Sequence, residues 1–180
     1  WPDLMRDLAR LQAVIVELDR TRYRLRTDCV GHAAKAFQAA GEALVRTRAS
    51  GMCRTDLKIA KGFMASVRLP HVLGHEVAGE VVDVGAGVDR TLAGSRVTAL
   101  VDITCGECEY CRDPASSYCA NLRRVGIETN GGHAEFLCVP AANLVLLPDS
   151  IPFDVASALP DAVGTTYRAM RSTSQASRID

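Results

Sequence analysis

Residues 105–119 read Cys105-Gly-Glu-Cys108-Glu-Tyr-Cys111-Arg-Asp-Pro-Ala-Ser-Ser-Tyr-Cys119, a C-x2-C-x2-C-x7-C knuckle. Thiolates at this spacing can wrap one tetrahedral Zn²⁺, because each two-residue gap lets the backbone turn back and present the next sulfur to the same centre. Gly106 eases such a turn. A closed four-sulfur site leaves no coordination position for substrate, so it predicts a fold and only indirectly a reaction. The competing reading is a pair of disulfides. Against it, the chain holds seven cysteines, an odd number for a secreted framework. The stretch Trp1 to Arg20 is also punctuated by Asp3, Arg6, Asp7, Arg10, Glu17 and Asp19, unlike a secretory leader. A reducing cytosol would keep the thiols free, so zinc is the expected occupant and the cytoplasm the expected compartment.

Length allows one ordinary domain, or one domain and part of another. Lys plus Arg equals Asp plus Glu at 21 each. Four thiolates around one zinc would add about minus two, and a second zinc held by one further thiolate about plus one, so the corrected charge stays close to zero. Neither value suggests a nucleic-acid partner. No apolar run approaches the ~20 residues of a membrane helix. The chain begins with Trp1 and stops at Ile179-Asp180, which reads as a fragment of a longer polypeptide.

Most of the chain reads as β structure. Gln12 to Leu18 and Ala43 to Arg48 look like strands, the second alternating apolar with basic residues. Glu76 to Val84 is Val-rich and ends at Gly85-Ala86-Gly87. Arg96 to Val101 and Ala134 to Val139 complete the set, the last closed by Pro140. Short strands separated by Gly and Pro favour a barrel or sandwich. Ala33 to Ala40 favours helix by composition, and Phe153 to Met170 follows Pro152 as a helix candidate. Residues 171–180 show no core-forming pattern.

A second constellation lies upstream, in Gly51-Met52-Cys53-Arg54-Thr55-Asp56 and Gly74-His75-Glu76. A lone cysteine or histidine is more often a core residue than a ligand. Here each stands beside groups able to orient it, a hydroxyl and a carboxylate after Cys53, and glycine and glutamate around His75.

At these residues the chain resembles the zinc-containing alcohol dehydrogenases of the medium-chain dehydrogenase/reductase superfamily. The run Gly74-His75-Glu76-Val77-Ala78-Gly79, with Gly85 and Val88 beyond it, follows that family's zinc signature. The knuckle falls where the family's structural-zinc lobe falls, and Gly131-Gly132-His133-Ala134-Glu135-Phe136 and Leu147-Pro148-Asp149 resemble later segments of its catalytic domain. The resemblance covers roughly residues 41 to 170.

It implies a mainly β fold, a GroES-like partly open barrel with peripheral helices and a zinc lobe over 102–123. It divides the chain into a divergent strand and helical insertion at 1–40, the catalytic domain at 41–150, and the start of a crossover at 151–180. Cys105, Cys108, Cys111 and Cys119 match the structural-zinc ligands. Cys53 and His75 match two ligands of a catalytic zinc, with Glu76 as a carboxylate able to enter its shell. Thr55 matches the hydroxyl that accepts the substrate proton, Asp56 the acid that orients His75, and Arg54 a contact to cofactor phosphate. The implied reaction acidifies a zinc-bound alcohol and passes hydride to the nicotinamide of NAD or NADP.

Three departures stand out. The third ligand in many members is a cysteine, and here the matching position is Asp161. A carboxylate oxygen is an acceptable zinc ligand and carries the same single charge as a thiolate. Lys58 stands where many members carry a relay histidine, and lysine is ordinarily fully protonated at neutral pH. It is read as a relay or cofactor contact, with a plain surface lysine as the competing reading. Asp19 to Ala40, holding Cys29 and His32, replaces a short Pro-rich connection and is read as a local insertion rather than a third metal site.

No G-x-G-x-x-G turn occurs, since Gly85-Ala86-Gly87 is followed by Arg90 where the third glycine belongs, so the nucleotide-binding domain is expected to be absent or truncated. The chain is therefore expected to be the catalytic half of an alcohol or polyol dehydrogenase, inactive by itself, with the complete enzyme free to form homo-oligomers. The alternative is a non-catalytic zinc-binding or assembly module.

Overall fold

Alternation builds the first strand. In 42–51 the buried positions Ala43 and Val45 are small or β-branched, while Arg46 and Arg48 are exposed, the period-two pattern of a half-buried strand. The computed structural model describes residues 41–64, 67, 71–112 and 118–176, the last five by backbone alone. The expected strand over 12–18 and helix over 33–40 lie outside the described residues.

The elements follow in chain order as β1 (Glu42–Gly51), α1 (Arg54–Ala60), β2 (Glu76–Val84), β3 (Arg96–Ala99), β4 (Asp102–Ile103), α2 (Glu109–Arg112), β5 (Arg123–Arg124), β6 (Phe136–Pro140), β7 (Leu144–Leu146), α3 (Phe153–Ser157) and α4 (Gly164–Ala176). Among the described residues, five strands form an antiparallel sheet in the order β6-β1-β2-β3-β7, and β4 pairs with β5 in a separate ribbon.

The connection between β6 and β7 shows that this sheet is curled. Those strands sit at opposite edges yet are joined by one 3-10 turn, Ala141–Asn143. In a flat sheet four inter-strand gaps would put the edges about 19 Å apart. The link from Pro140 to Leu144 reaches at most about 14 Å. The sheet must therefore wrap into a partly open barrel, as expected. Its interior holds Val45, Val77, Val81, Val97, Leu137 and Val139, all buried.

Two boundaries differ from expectation for visible reasons. The strand expected over 96–101 ends at Ala99 because Asn143 interrupts it. The Leu100 N–H donates to the Asn143 carbonyl (2.8 Å), and Asn143 Nδ2 donates to the carbonyls of Leu100 (3.1 Å) and Asp102 (2.8 Å). The helix expected over 153–170 is broken into α3, a π-helical turn at Leu159–Val163 and α4. Pro160 lies inside that turn, where its missing N–H cannot serve an α-helical ladder. Helix α4 then runs on to Ala176, although residues 171–176 carry no apolar pattern.

Gly79 lies at the centre of the sheet, opposite Thr47 of β1 and Val97 of β3. A Cβ there would overlap the Arg46 carbonyl oxygen and come within 2.9 Å of Val45 Cγ1. Gly79→Ala should force β1 away from β2 and lower unfolding stability by about 2 to 3 kcal/mol, read as a reduced midpoint in denaturant titration.

Candidate metal centres

Cys53 stands at the N-cap of α1 with an extended backbone, and its carbonyl accepts the Asp56 N–H at 3.1 Å. Asp56, in the first turn, reaches back: its Oδ2 accepts the Cys53 N–H at 2.8 Å. Its Oδ1 accepts the Gly74 N–H at 3.2 Å. Asp56 is only 1% exposed. Its carboxylate thus ties the start of α1 to the segment entering β2, and His75 follows Gly74 directly.

His75, itself 2% exposed, turns Nδ1 toward Asp56 Oδ1 at 3.5 Å and Nε2 toward Asp161 Oδ2 at 3.3 Å. Burial by itself would raise the Asp56 carboxyl, but His133, His75 and the Cys53 N–H together hold it well below the usual carboxylate range. The Asp56 carboxylate, outweighing burial, pushes His75 up to about 9. Burial also raises Glu76, against the pull of His75.

One ligand atom each from Cys53, His75, Glu76 and Asp161 lies within 4.8 Å of the others. Bond lengths of about 2.3 Å to sulfur and 2.1 Å to nitrogen or oxygen give tetrahedral edges of about 3.6 Å between sulfur and oxygen and 3.4 Å between nitrogen and oxygen. The observed edges are 3.9 Å for Cys53 Sγ to Asp161 Oδ2 and 3.3 Å for His75 Nε2 to that same oxygen. The donors fit a zinc ion. Glu76 backs onto Gly51, its cross-strand partner, where a Cβ would overlap Glu76 Oε2.

Asp161 arrives from the π-helical turn, a form often found at functional sites. The Thr165 hydroxyl donates to its Oδ1 at 3.1 Å, leaving Oδ2 to face the cluster. The approach is anchored to the sheet. Thr98 Oγ1 of β3 lies within hydrogen-bond distance of the carbonyls of Val77 (2.8 Å) and Ala156 (3.2 Å). Arg96 donates to the Ile151 carbonyl and stacks its guanidinium 4.0 Å from the Phe153 ring centre.

In the lobe, Cys105, Cys108, Cys111 and Cys119 converge as free thiols. Their sulfurs stand 3.9 Å (Cys105 to Cys111), 3.4 Å (Cys108 to Cys111) and 3.6 Å (Cys105 to Cys119) apart. A tetrahedral four-sulfur zinc has edges of about 3.8 Å, so these donors also fit. Backbone N–H groups of Glu107 and Cys108 pull Cys105 down to about 6. Burial and neighbouring thiols push Cys111 up to about 11.

The remaining anticipated residues divide. Thr55 joins the cluster, its Oγ1 3.8 Å from Cys53 Sγ. Arg54 and Lys58 are exposed, four residues apart on one face of α1. Residues not singled out for a role are Thr165, Ser50 and His133. His133 brings Nε2 to 3.8 Å from Asp56 Oδ2 and Nδ1 to 2.9 Å from Ser50 Oγ. The Gly131-Gly132-His133 run was the one available signal.

A curled β-domain with a four-sulfur lobe and a mixed sulfur, nitrogen and oxygen cluster has the architecture of a zinc-dehydrogenase catalytic domain. Residues 39–149 match the family model of the alcohol dehydrogenase GroES-like domain. The chain is 37% identical to an L-threonine 3-dehydrogenase of Sinorhizobium medicae (strain WSM419) over 119 residues, 64% of this chain and 35% of that protein. Among solved structures it resembles the D-arabinose dehydrogenase of Sulfolobus solfataricus, with 37% identity and a TM-score of 0.66 over 74% of this chain and 42% of that one. It also resembles a zinc-binding dehydrogenase of Sinorhizobium meliloti 1021 bound to NADP, at 33% identity and a TM-score of 0.60 over 66% of this chain and 34% of that one. The chain belongs to the zinc-containing alcohol dehydrogenase family of the medium-chain dehydrogenases/reductases. It spans between 34% and 42% of the length of these three relatives.

The raised His75 value sets a pH dependence. In the metal-free chain the imidazolium paired with Asp56 contributes stability that is full below about pH 6.5 and fades as pH rises through about 9. The stability difference between this chain and His75→Gln, from urea unfolding after chelation, should shrink between pH 6 and pH 10. The change should be on the order of 3 kcal/mol.

Proposed function

We propose that the chain supplies the catalytic half of a zinc-dependent, NAD(P)-linked dehydrogenase acting on a small alcohol or polyol. The observation carrying this reading is the convergence of Cys53, His75, Glu76 and Asp161, from three separate segments, on one point within 4.8 Å. The relatives named for threonine and arabinose support a small hydroxylated substrate.

On this reading Cys53, His75 and Asp161 hold a catalytic zinc, and Glu76 is the donor that yields when substrate enters. A zinc ion held there supplies Lewis acidity, which makes a hydroxyl group far easier to deprotonate. Thr55 Oγ1, at the edge of the cluster, accepts the hydroxyl proton from the substrate and passes it on toward solvent. Asp56 keeps His75 in the tautomer with Nδ1 protonated, so that Nε2 presents its lone pair to the metal. The oxidant such chemistry requires is a nicotinamide dinucleotide, and the paired cations Arg54 and Lys58 form an exposed face suited to its phosphates. Cys105, Cys108, Cys111 and Cys119 hold a second, structural zinc that fixes the lobe over 102–123.

The domain division proposed here keeps 1–40 as a divergent strand and helical insertion, 41–150 as the catalytic unit and 151–180 as the start of a crossover. Val163 and Tyr167 are 51% and 61% exposed four residues apart, which fits a crossover that packs against a nucleotide-binding domain.

Metal analysis tests the reading. The chain should carry two zinc ions, one lost in Cys108→Ser with unfolding of the lobe, the other lost in Cys53→Ser. Asp161→Asn should weaken the second site by more than the roughly 10- to 100-fold typical of residues behind a ligand. In the complete polypeptide, the same variant should abolish NAD(P)-dependent oxidation of alcohols. A chain that holds only lobe zinc, indifferent to Cys53 and Asp161, would support a non-catalytic module instead.

A further inference from the structure

We propose that His133 is a positioning residue of the mixed metal centre, holding Asp56 in the rotamer that serves both Cys53 and His75. This rests on the reading that Cys53, His75 and Asp161 bind the catalytic metal. The two oxygens of Asp56 have separate duties. Oδ1 accepts from Gly74 and faces His75, whereas Oδ2 accepts from Cys53 and faces His133. One buried carboxylate is thus bracketed by two imidazoles, of which only His75 reaches the ligand cluster.

The tautomer of His133 follows from its two neighbours. Nδ1 lies 2.9 Å from the Ser50 hydroxyl, which can donate to it. Nε2 is buried without a hydrogen-bond partner among the described residues, and the carboxylate at 3.8 Å is its facing charge. With Nε2 protonated, Nδ1 accepts from Ser50 and the ring turns an N–H edge toward the carboxylate. The opposite tautomer would aim a lone pair at a carboxylate.

The ring is also fixed against the ligand-bearing segment. Gly132 and His133 donate their N–H groups to the carbonyls of Gly74 (2.8 Å) and Leu73 (2.9 Å). Gly74, at φ 96°, has no room for a Cβ, which would lie 2.7 Å from His133 Nδ1. The imidazole therefore occupies space cleared for it beside the residue preceding His75. A side chain of the same shape without a donor would fill that space but leave Asp56 Oδ2 held by Cys53 alone.

The test compares the full chain with His133→Phe, His133→Gln and Ser50→Ala, loaded with Zn²⁺ or with Co²⁺. Zinc affinity is read by competition with a chelator, and cobalt geometry from its visible absorption bands. His133→Phe should bind zinc at the mixed centre roughly 10- to 100-fold more weakly, with shifted cobalt bands and an unchanged lobe site. His133→Gln, whose amide can still donate, should recover part of that loss, and Ser50→Ala should show a smaller one. A purely structural role would lower the thermal midpoint of His133→Phe while leaving affinity and cobalt spectrum of the folded chain at their original values, and that result overturns the proposal. If the unaltered chain binds metal only in the lobe, the assignment of the mixed centre fails and His133 loses its role with it. If it binds two metals and His133→Phe does so equally well, the role of His133 alone fails.

Discussion

Asp56 is a carboxylate almost wholly removed from water, and such a group is tolerated only when its oxygens are hydrogen-bonded or paired. Its two backbone donors, the N–H groups of Cys53 and Gly74, belong to different segments. Neither segment can drift without stripping a donor from a buried charge. The positions of Cys53 and His75 are therefore coupled through one side chain, whether or not a metal adds its own constraint. The helix cap contributes to the same end, because the amide that Asp56 satisfies at Cys53 would otherwise be unpartnered at the start of α1.

The segment that brings Asp161 to the cluster depends on the curl of the sheet. Asp161 stands 108 residues from Cys53 in sequence and reaches it because the chain after β7 is pinned across β2 and β3. Thr98 lies between the carbonyls of Val77 and Ala156, so strand β2, which begins at Glu76, and helix α3, which leads to Asp161, share one buried hydroxyl. Arg96 fixes the preceding loop by its contacts with Ile151 and Phe153. The π-helical turn at Leu159–Val163 then sets the direction of Asp161, and Thr165 selects which oxygen faces the cluster.

Local pattern made much of this legible in advance. The strands at 43–48, 76–84 and 134–139 announced themselves by Val-rich or alternating runs, and the observed β1, β2 and β6 overlap them. The knuckle was legible because its four sulfurs lie close in sequence, where spacing and geometry are nearly the same thing. Other features depend on meetings across the fold. Ser50 and His133, separated by 83 residues, meet only because the Gly131-Gly132 turn lies on the segment before His75. The break of β3 at Ala99 required Asn143, which stands just before the neighbouring strand β7 and more than 40 residues away in sequence, so no pattern within 96–101 encodes it. The extension of α4 over 171–176 follows from continuity with the preceding turns, against a composition that carries no apolar stripe.

The two candidate ligand clusters differ in what they would leave available. Four thiolates around one ion would fill a tetrahedral shell, so the lobe suits a permanent clamp. The mixed centre offers a thiolate, an imidazole and two carboxylates, and these are unequal. His75 is held by Asp56, and Asp161 by Thr165. Glu76 has no comparable anchor among the described residues. Burial raises it toward its neutral form, and it rests against the space left by Gly51. With Cys53 and Asp161 charged, a dication is already neutralised, and a second carboxylate would add an uncompensated charge to a site partly withdrawn from water. On the proposed reading, electrostatics make Glu76, rather than Cys53 or Asp161, the donor that would yield to an incoming hydroxyl, so the mixed cluster would be the reactive site and the lobe its scaffold.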